Sequence, residues 1–152
     1  MKLLRVKEKI LLTIINLFLV SCSTVCLSVI DGDTLRVKIN GKIEIIRLVG
    51  IDAPETGMNK MLKFQERRTG LSSIEILGRG VLAKNKLEQL VSGKQCTVIK
   101  AYKNRERDAY GRILAYVEVD GNDVGEILLR ERLVWLLENY KHDRKNRYLS
   151  IQ

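Results

Sequence analysis

The stretch VIDGDTLRVKINGKIEIIRLVGIDAPET, residues 29–56, decides the architecture. Its runs TLRVKI and KIEIIRLVGI alternate in hydropathy as half-buried strands do. Asn40-Gly41 between them suits a type I′ turn, because both residues tolerate positive φ, so a hairpin is expected. The preceding run LSVI supplies a third strand, and Asp31-Gly32 reads as a bend or bulge that aims Asp33 off the regular pleat. The same stretch holds five acids, Asp31, Asp33, Glu44, Asp52 and Glu55, together with Arg36, Arg47 and the only proline of the chain. Carboxylates gathered at the ends of half-buried strands repel one another, so they stay together only where a cation or arginines neutralise them.

Outward from this meander, residues 57–76 are mostly polar and show no sustained period, which predicts a long exposed loop with at most a short helical turn. From Val81 to Val91 the apolar residues Ala83, Leu87, Leu90 and Val91 share one helical face, and Gly93 stops the helix. QCTVIKAY and RILAYVEV read as two further strands around the charged turn KNRERDAYG. Asp120-Gly121 then turns the chain, and Asp123 with Glu126 forms a capping box for a helix through at least Val134. Five short strands with a helix between the third and fourth is the order of an OB-fold, a five-stranded Greek-key barrel. The expected class is therefore mainly β with two to three helices, an α+β domain, with no internal repeat and no linker to a second domain.

A chain of 152 residues, 45% hydrophobic and 30% charged, has room for one sizeable core and is not a long disordered protein. Its net charge of +9 attracts polyanions, either phosphate backbones or anionic headgroups. The first residues stand apart. Lys2, Arg5, Lys7 and Lys9 precede an apolar run, residues 10–20, that has the length of a secretory signal core. That run ends in LVSC, which resembles a lipoprotein lipobox and predicts a leader over residues 1–21, a lipid on Cys22 and a domain over residues 22–152. An uncleaved anchor and a hydrophobic first strand are the alternatives. Export to the cell envelope or beyond follows from the lipobox reading, and a monomer is expected. Cys26 and Cys96 can pair if their strands are neighbours, or remain buried thiols. No CxxC pair occurs, and the one histidine, His142, lies in a polar tail, so a zinc site is not expected.

The acids also exclude an EF-hand, because the twelfth position from Asp31 is Lys42. Oxygen donors without thiol or imidazole favour calcium or magnesium. Against a metal stands the reading that Asp31-Gly32 and Asp52-Ala53-Pro54 are ordinary solvated turns, that Arg47 pairs with an acid such as Asp33 across strands, and that Arg112 pairs with Asp108.

The segments IDGDT, RLVGIDAPET and DAYGRILAYVEVDG, in this order and spacing, resemble the staphylococcal-nuclease-like (thermonuclease) family from about residue 27 to residue 140. The resemblance implies a calcium-dependent phosphodiesterase on an OB-fold that cuts DNA and RNA. It implies that Asp33, Asp52 and the carbonyl of Ala53 hold Ca2+, that Arg47 and Arg112 bind phosphate, that Glu55 is the general base or water-orienting carboxylate, and that Tyr110 and Tyr140 contact the nucleotide. The chemistry agrees. A guanidinium can hold two phosphate oxygens at once, and Pro54 stiffens the approach of Glu55. Tyr116 and Trp135 read as packing residues.

This chain departs from the family pattern in several places. Ala53 replaces a threonine, Glu138 stands where an aromatic is expected, and Arg132 replaces a glycine. The loop after Glu55 is longer, with KMLKFQERR adding basic charge that either extends substrate contact or is simply solvated. Gln152 falls early in the expected third helix. Two other readings predict different behaviour: an OB-fold module that binds nucleic acid without cutting it, and a poorly folded remnant.

Overall fold

The structure, a computed structural model, describes residues 24–151; the predicted leader and Cys22 lie outside the described residues. Strands β1 (Thr24–Asp31), β2 (Thr34–Ile39) and β3 (Lys42–Leu48) form the expected meander. Asn40 and Gly41 both take positive φ, 50° and 79°, as the turn between β2 and β3 requires. After the short β4 (Ile51–Asp52) come helices α1 (Lys60–Thr69) and α2 (Ser73–Val91). They are followed by β5 (Gln95–Lys100), β6 (Ile113–Val119), β7 (Asn122–Asp123), α3 (Val124–Arg130), β8 (Trp135–Leu136) and α4 (Lys145–Leu149). The five long strands run in the order β3-β2-β1-β5-β6, and β6 returns to pair with β3 in parallel, which closes an OB-fold barrel. The register shift in β1 between Val29 and Asp31 is the irregularity anticipated beside Gly32, and a second shift between Cys26 and Ser28 was not expected.

Alternating residues of the strands, Leu35, Val37, Ile46 and Val117 among them, fill the barrel, and α2 covers it with Ile76, Ala83, Leu87 and Val91. Spacings of seven, four and four place those helix residues on one face.

Residues 57–76 are not a loop. Asn59 caps α1 by accepting from the Leu62 amide, Gly70 ends it with φ 72°, and Ser72 opens α2 with a capping box completed by Glu75. The periodicity was silent because α1 buries only Leu62 and Gln65. The helix predicted through Val134 ends at Arg130 instead. Arg132 adopts φ 55°, which a right-handed helix cannot accommodate, and Val134 leads into β8 beside β4.

His142 does not sit in a free polar tail. Its Nδ1 lies 3.0 Å from the Tyr116 hydroxyl, and its ring packs against Gly50, where a Cβ would meet it at 2.5 Å. Burial holds the imidazole pKa below the usual histidine range. Beyond it, Tyr148 is buried and donates to Asp123, while Arg144 reaches Asp123 and Glu118, each at 2.6 Å. Cys26 and Cys96 face each other across β1 and β5 as thiols with sulfurs 2.6 Å apart.

Candidate active site

Because β2 and β3 are joined in the register Thr34 opposite Arg47, the bend at Gly32 and the end of β3 deliver Asp33 and Arg47 to the same rim of the barrel. Asp33 is buried. Its Oδ2 meets Arg47 Nη1 at 2.8 Å and accepts from the Ala53 amide at 2.6 Å, while its Oδ1 accepts from the Thr34 hydroxyl at 3.0 Å. Burial pushes the Asp33 carboxyl up to about 7, against the pull of the Arg47 guanidinium and with a further push from Asp31. Arg47 Nη2 also lies 3.5 Å from Asp52 Oδ1, so one guanidinium joins both predicted metal carboxylates. The cross-strand pair weighed as an alternative for Arg47 is therefore present within the site.

The segment from Ala53 to Glu55 is gripped from three sides. Asp33 takes the Ala53 amide, and Gln65 on α1, fully buried, donates from Nε2 to the Ala53 carbonyl at 2.9 Å. The same side chain accepts from the Glu55 amide at 2.9 Å through Oε1. On the third side Gly80 of α2 lets the helix approach so closely that a Cβ there would meet the Pro54 carbonyl oxygen at 2.7 Å. The Glu55 side chain is held by Asn59, whose Nδ2 donates to Oε2 at 2.6 Å.

Arg112 Nη1 reaches the Thr34 hydroxyl at 3.4 Å, and its Nε pairs with Asp108 at 2.7 Å, the surface pair weighed against a phosphate role. Burial opposes ionisation of Asp108, but hydrogen bonds from the Arg112 side chain and amide hold its carboxyl below the usual range. The Arg112 guanidinium lies 5.4 Å from the Tyr110 ring centroid, and Tyr110 is 86% exposed. Asp33, Arg47, Asp52, Glu55, Tyr110, Arg112 and Tyr140 line one cavity of about 560 Å³. The predicted site residues thus share one cleft, Ala53 included. Tyr116 is core, as expected; Trp135 is half-buried and capped by Arg68, whose guanidinium lies 4.8 Å from its ring centroid.

Sequence reasoning missed four residues that shape the cleft: Asn59, Gln65, Arg68 and Gly80. Arg68 Nη2 pairs with Asp52 Oδ2 at 2.6 Å. All but Gly80 lie on or cap α1, and the readable signal was the bracket of Asn59 and Gly70 around a ten-residue helix.

Among the described residues no group of three or more acidic, histidine or cysteine side chains forms a ready-made metal cage. The donors that converge here, two carboxylates and a carbonyl, are hard oxygens of the kind calcium takes, and the guanidiniums of Arg47 and Arg68 occupy the carboxylates in this structure. The donor set fits such an ion in kind.

The family profile described as Staphylococcal nuclease homologue matches residues 45–152. Among curated relatives, the SPbeta prophage-derived endonuclease YokF and the endonuclease YncB of Bacillus subtilis are 36% and 37% identical over 116 residues, which is 76% of this chain. An uncharacterized endonuclease of Escherichia coli is 35% identical over the same share. The aligned region covers 34%, 48% and 61% of those three proteins, so this chain corresponds to only part of each. With a closed OB-fold barrel, a matching profile over most of its length and relatives above one-third identity, this chain belongs to the staphylococcal nuclease homologue family.

Proposed function

We propose that this protein is a calcium-dependent endonuclease that hydrolyses phosphodiester bonds of DNA and RNA with little sequence preference. The observation that carries the reading is Arg47, set between Asp33 and Asp52 on the floor of a cleft whose rim holds Glu55 and Arg112. Family membership and relatives named endonucleases support it. A module that only bound nucleic acid would need basic and aromatic side chains, but it would gain nothing from carboxylates that repel the phosphate.

Hydrolysis needs a water made nucleophilic and donors aimed at the charge that collects on the phosphorus oxygens. Glu55 takes a proton from the attacking water as the water oxygen bonds to phosphorus. The P–O bond to the departing sugar oxygen breaks, and that oxygen takes up a proton from solvent. Asn59 and Gln65 restrict the Glu55 carboxylate and main chain, so the base stays aimed at one place. Arg47 and Arg112 donate to non-bridging phosphate oxygens, more strongly as negative charge grows on them. Asp33, Asp52 and the Ala53 carbonyl would hold a calcium ion, which supplies positive charge to the same phosphate. Tyr110 and Tyr140 line the cleft beside the arginines and contact the nucleotide. The leader over residues 1–21 and a lipid on Cys22 would place the enzyme outside the cytoplasm, on the cell envelope.

The reading is tested by incubating the purified protein with single-stranded DNA, duplex DNA and RNA in calcium, in magnesium and in chelator. Cutting of all three substrates in calcium, abolished by chelator, is expected. Tight binding in chelator with no cutting on adding either metal would replace the reading with a binding module.

A further inference from the structure

The catalytic cleft continues beyond Asp52. A second cavity of about 550 Å³ shares Arg47, Asp52, Met61 and Tyr140 with it and extends along α1 past Phe64 and Arg68. Met61, Phe64 and Arg68 are spaced three and four apart, so they form one helical face toward this arm. That face is apolar where it is open: Met61 is 48% and Phe64 46% exposed. Arg68 lies between two rings, its guanidinium carbon 5.8 Å from the Phe64 centroid and 4.8 Å from that of Trp135. Scattered exposed apolar residues are ordinary, but two on one helical face, opening into the arm that adjoins the reactive phosphate site, are a surface.

We propose that this arm is a binding subsite for single-stranded nucleic acid, where the base next along the strand, on the side of the scissile phosphate away from Tyr110, stacks on Phe64 with Met61 at its edge. The inference rests on the nucleic-acid reading of the cleft. The occupant follows from continuity with the cleft. A strand whose phosphate lies at Arg47 has Tyr110 on one side, and on the other a lined path runs past Met61 into this arm. The arm itself is lined by Arg47 and Arg68 against Asp52 and Glu138, so its charges balance and the contact it offers is stacking on Phe64 rather than neutralisation of the backbone. Lys60 and Lys63 of the same helix line a separate cavity. Stacking needs an unpaired base, because in a duplex the base faces are already covered, so the subsite takes single strands or opened ends. Every base has a π-face, so such a contact adds affinity without reading sequence.

The experiment measures binding of fluorescein-labelled decathymidylate by anisotropy in calcium, with Glu55→Gln as the parent so that the probe survives. Phe64→Ala in that background should weaken binding by roughly five- to a hundredfold, the range for loss of one stacked base. Phe64→Trp should retain it. The salt dependence should keep its slope in Phe64→Ala, because no charge is removed, which a general loss of the basic surface would not reproduce. Equal affinity of parent and Phe64→Ala, or failure of the parent to bind at all, would overturn the subsite. Should Phe64→Ala weaken binding as expected while protein with Glu55 intact cuts nothing, the subsite stands and the nuclease reading falls.

Discussion

Gln65 donates to the carbonyl of Ala53 from a fully buried position on a helix, and through its other amide atom it also takes the amide proton of Glu55. One side chain thereby ties a predicted metal ligand to the predicted base. Replacing it with leucine leaves two main-chain groups unpaired, at a cost of about 1–3 kcal/mol each. The Gln65→Leu protein should melt lower and, where still folded, show kcat reduced about ten- to a hundredfold with KM little changed, because geometry rather than binding is lost. An unchanged kcat in a folded variant would show that Gln65 serves stability alone.

Gly80 supplies the opposing contact. A Cβ at this position would press on the Pro54 and Glu55 carbonyls, main-chain atoms that cannot swing aside as a flexible side chain does. Despite the higher helix propensity of alanine, Gly80→Ala should destabilise by about 1–3 kcal/mol, as overpacking does, and should displace Glu55. Thermal melts and single-turnover cleavage check both parts. A variant that is more stable and equally active would contradict the close approach.

Acid should loosen the C-terminal packing in two steps. Burial lowers the His142 pKa, so its contribution is present above the ordinary value of about 6.5 and is lost as pH falls through the lower folded value. For Glu126, burial opposes ionisation, but hydrogen bonds from Arg130 and Arg147 prevail and hold the carboxyl below its usual range. Its stabilisation is present above about pH 4.3 and is lost as pH falls through the lowered value. Urea melts of the wild type and Glu126→Gln should converge in that lower window. A difference that persisted unchanged to lower pH would contradict it.

The contact between Cys26 and Cys96 predicts joint oxidation. A low-molecular-weight disulfide such as oxidised glutathione, itself reduced to two thiols, should remove both protein thiols together. A bridge across 70 positions would then raise stability by roughly 4 kcal/mol on the chain-entropy account. Thiol titration and melting follow the two effects. A stable mixed disulfide on Cys96 alone would show that the pair cannot close.

The barrel was legible because each of its signals is local. Asn40-Gly41 sets the hairpin register, alternation sets the faces, and together they carry Asp33 and Arg47 to one rim. Asp52 and Glu55 follow from the same rim through RLVGIDAPET. What escaped was held by tertiary contact. The helix from Lys60 to Thr69 has only Leu62 and Gln65 inside, and its most consequential buried residue is an amide, which hydrophobic periodicity discounts. Arg68 looked like one basic residue among many until the fold set it on Asp52 and over Trp135. His142 and Tyr148 likewise lie in a stretch of polar composition, and their burial arises from Tyr116 and Asp123, far away in sequence.

The central claim is that this cleft cuts a phosphodiester bond with Glu55 as its base. The most direct measurement is the rate of cleavage of a labelled single-stranded oligonucleotide in saturating calcium by the wild type and by Glu55→Gln, with the melting temperature of each. A wild type that cuts, beside an equally stable variant slowed by about a hundred- to ten-thousandfold, is the predicted result. Equal rates in the two proteins, or no cutting by a wild type that melts cooperatively, would contradict it.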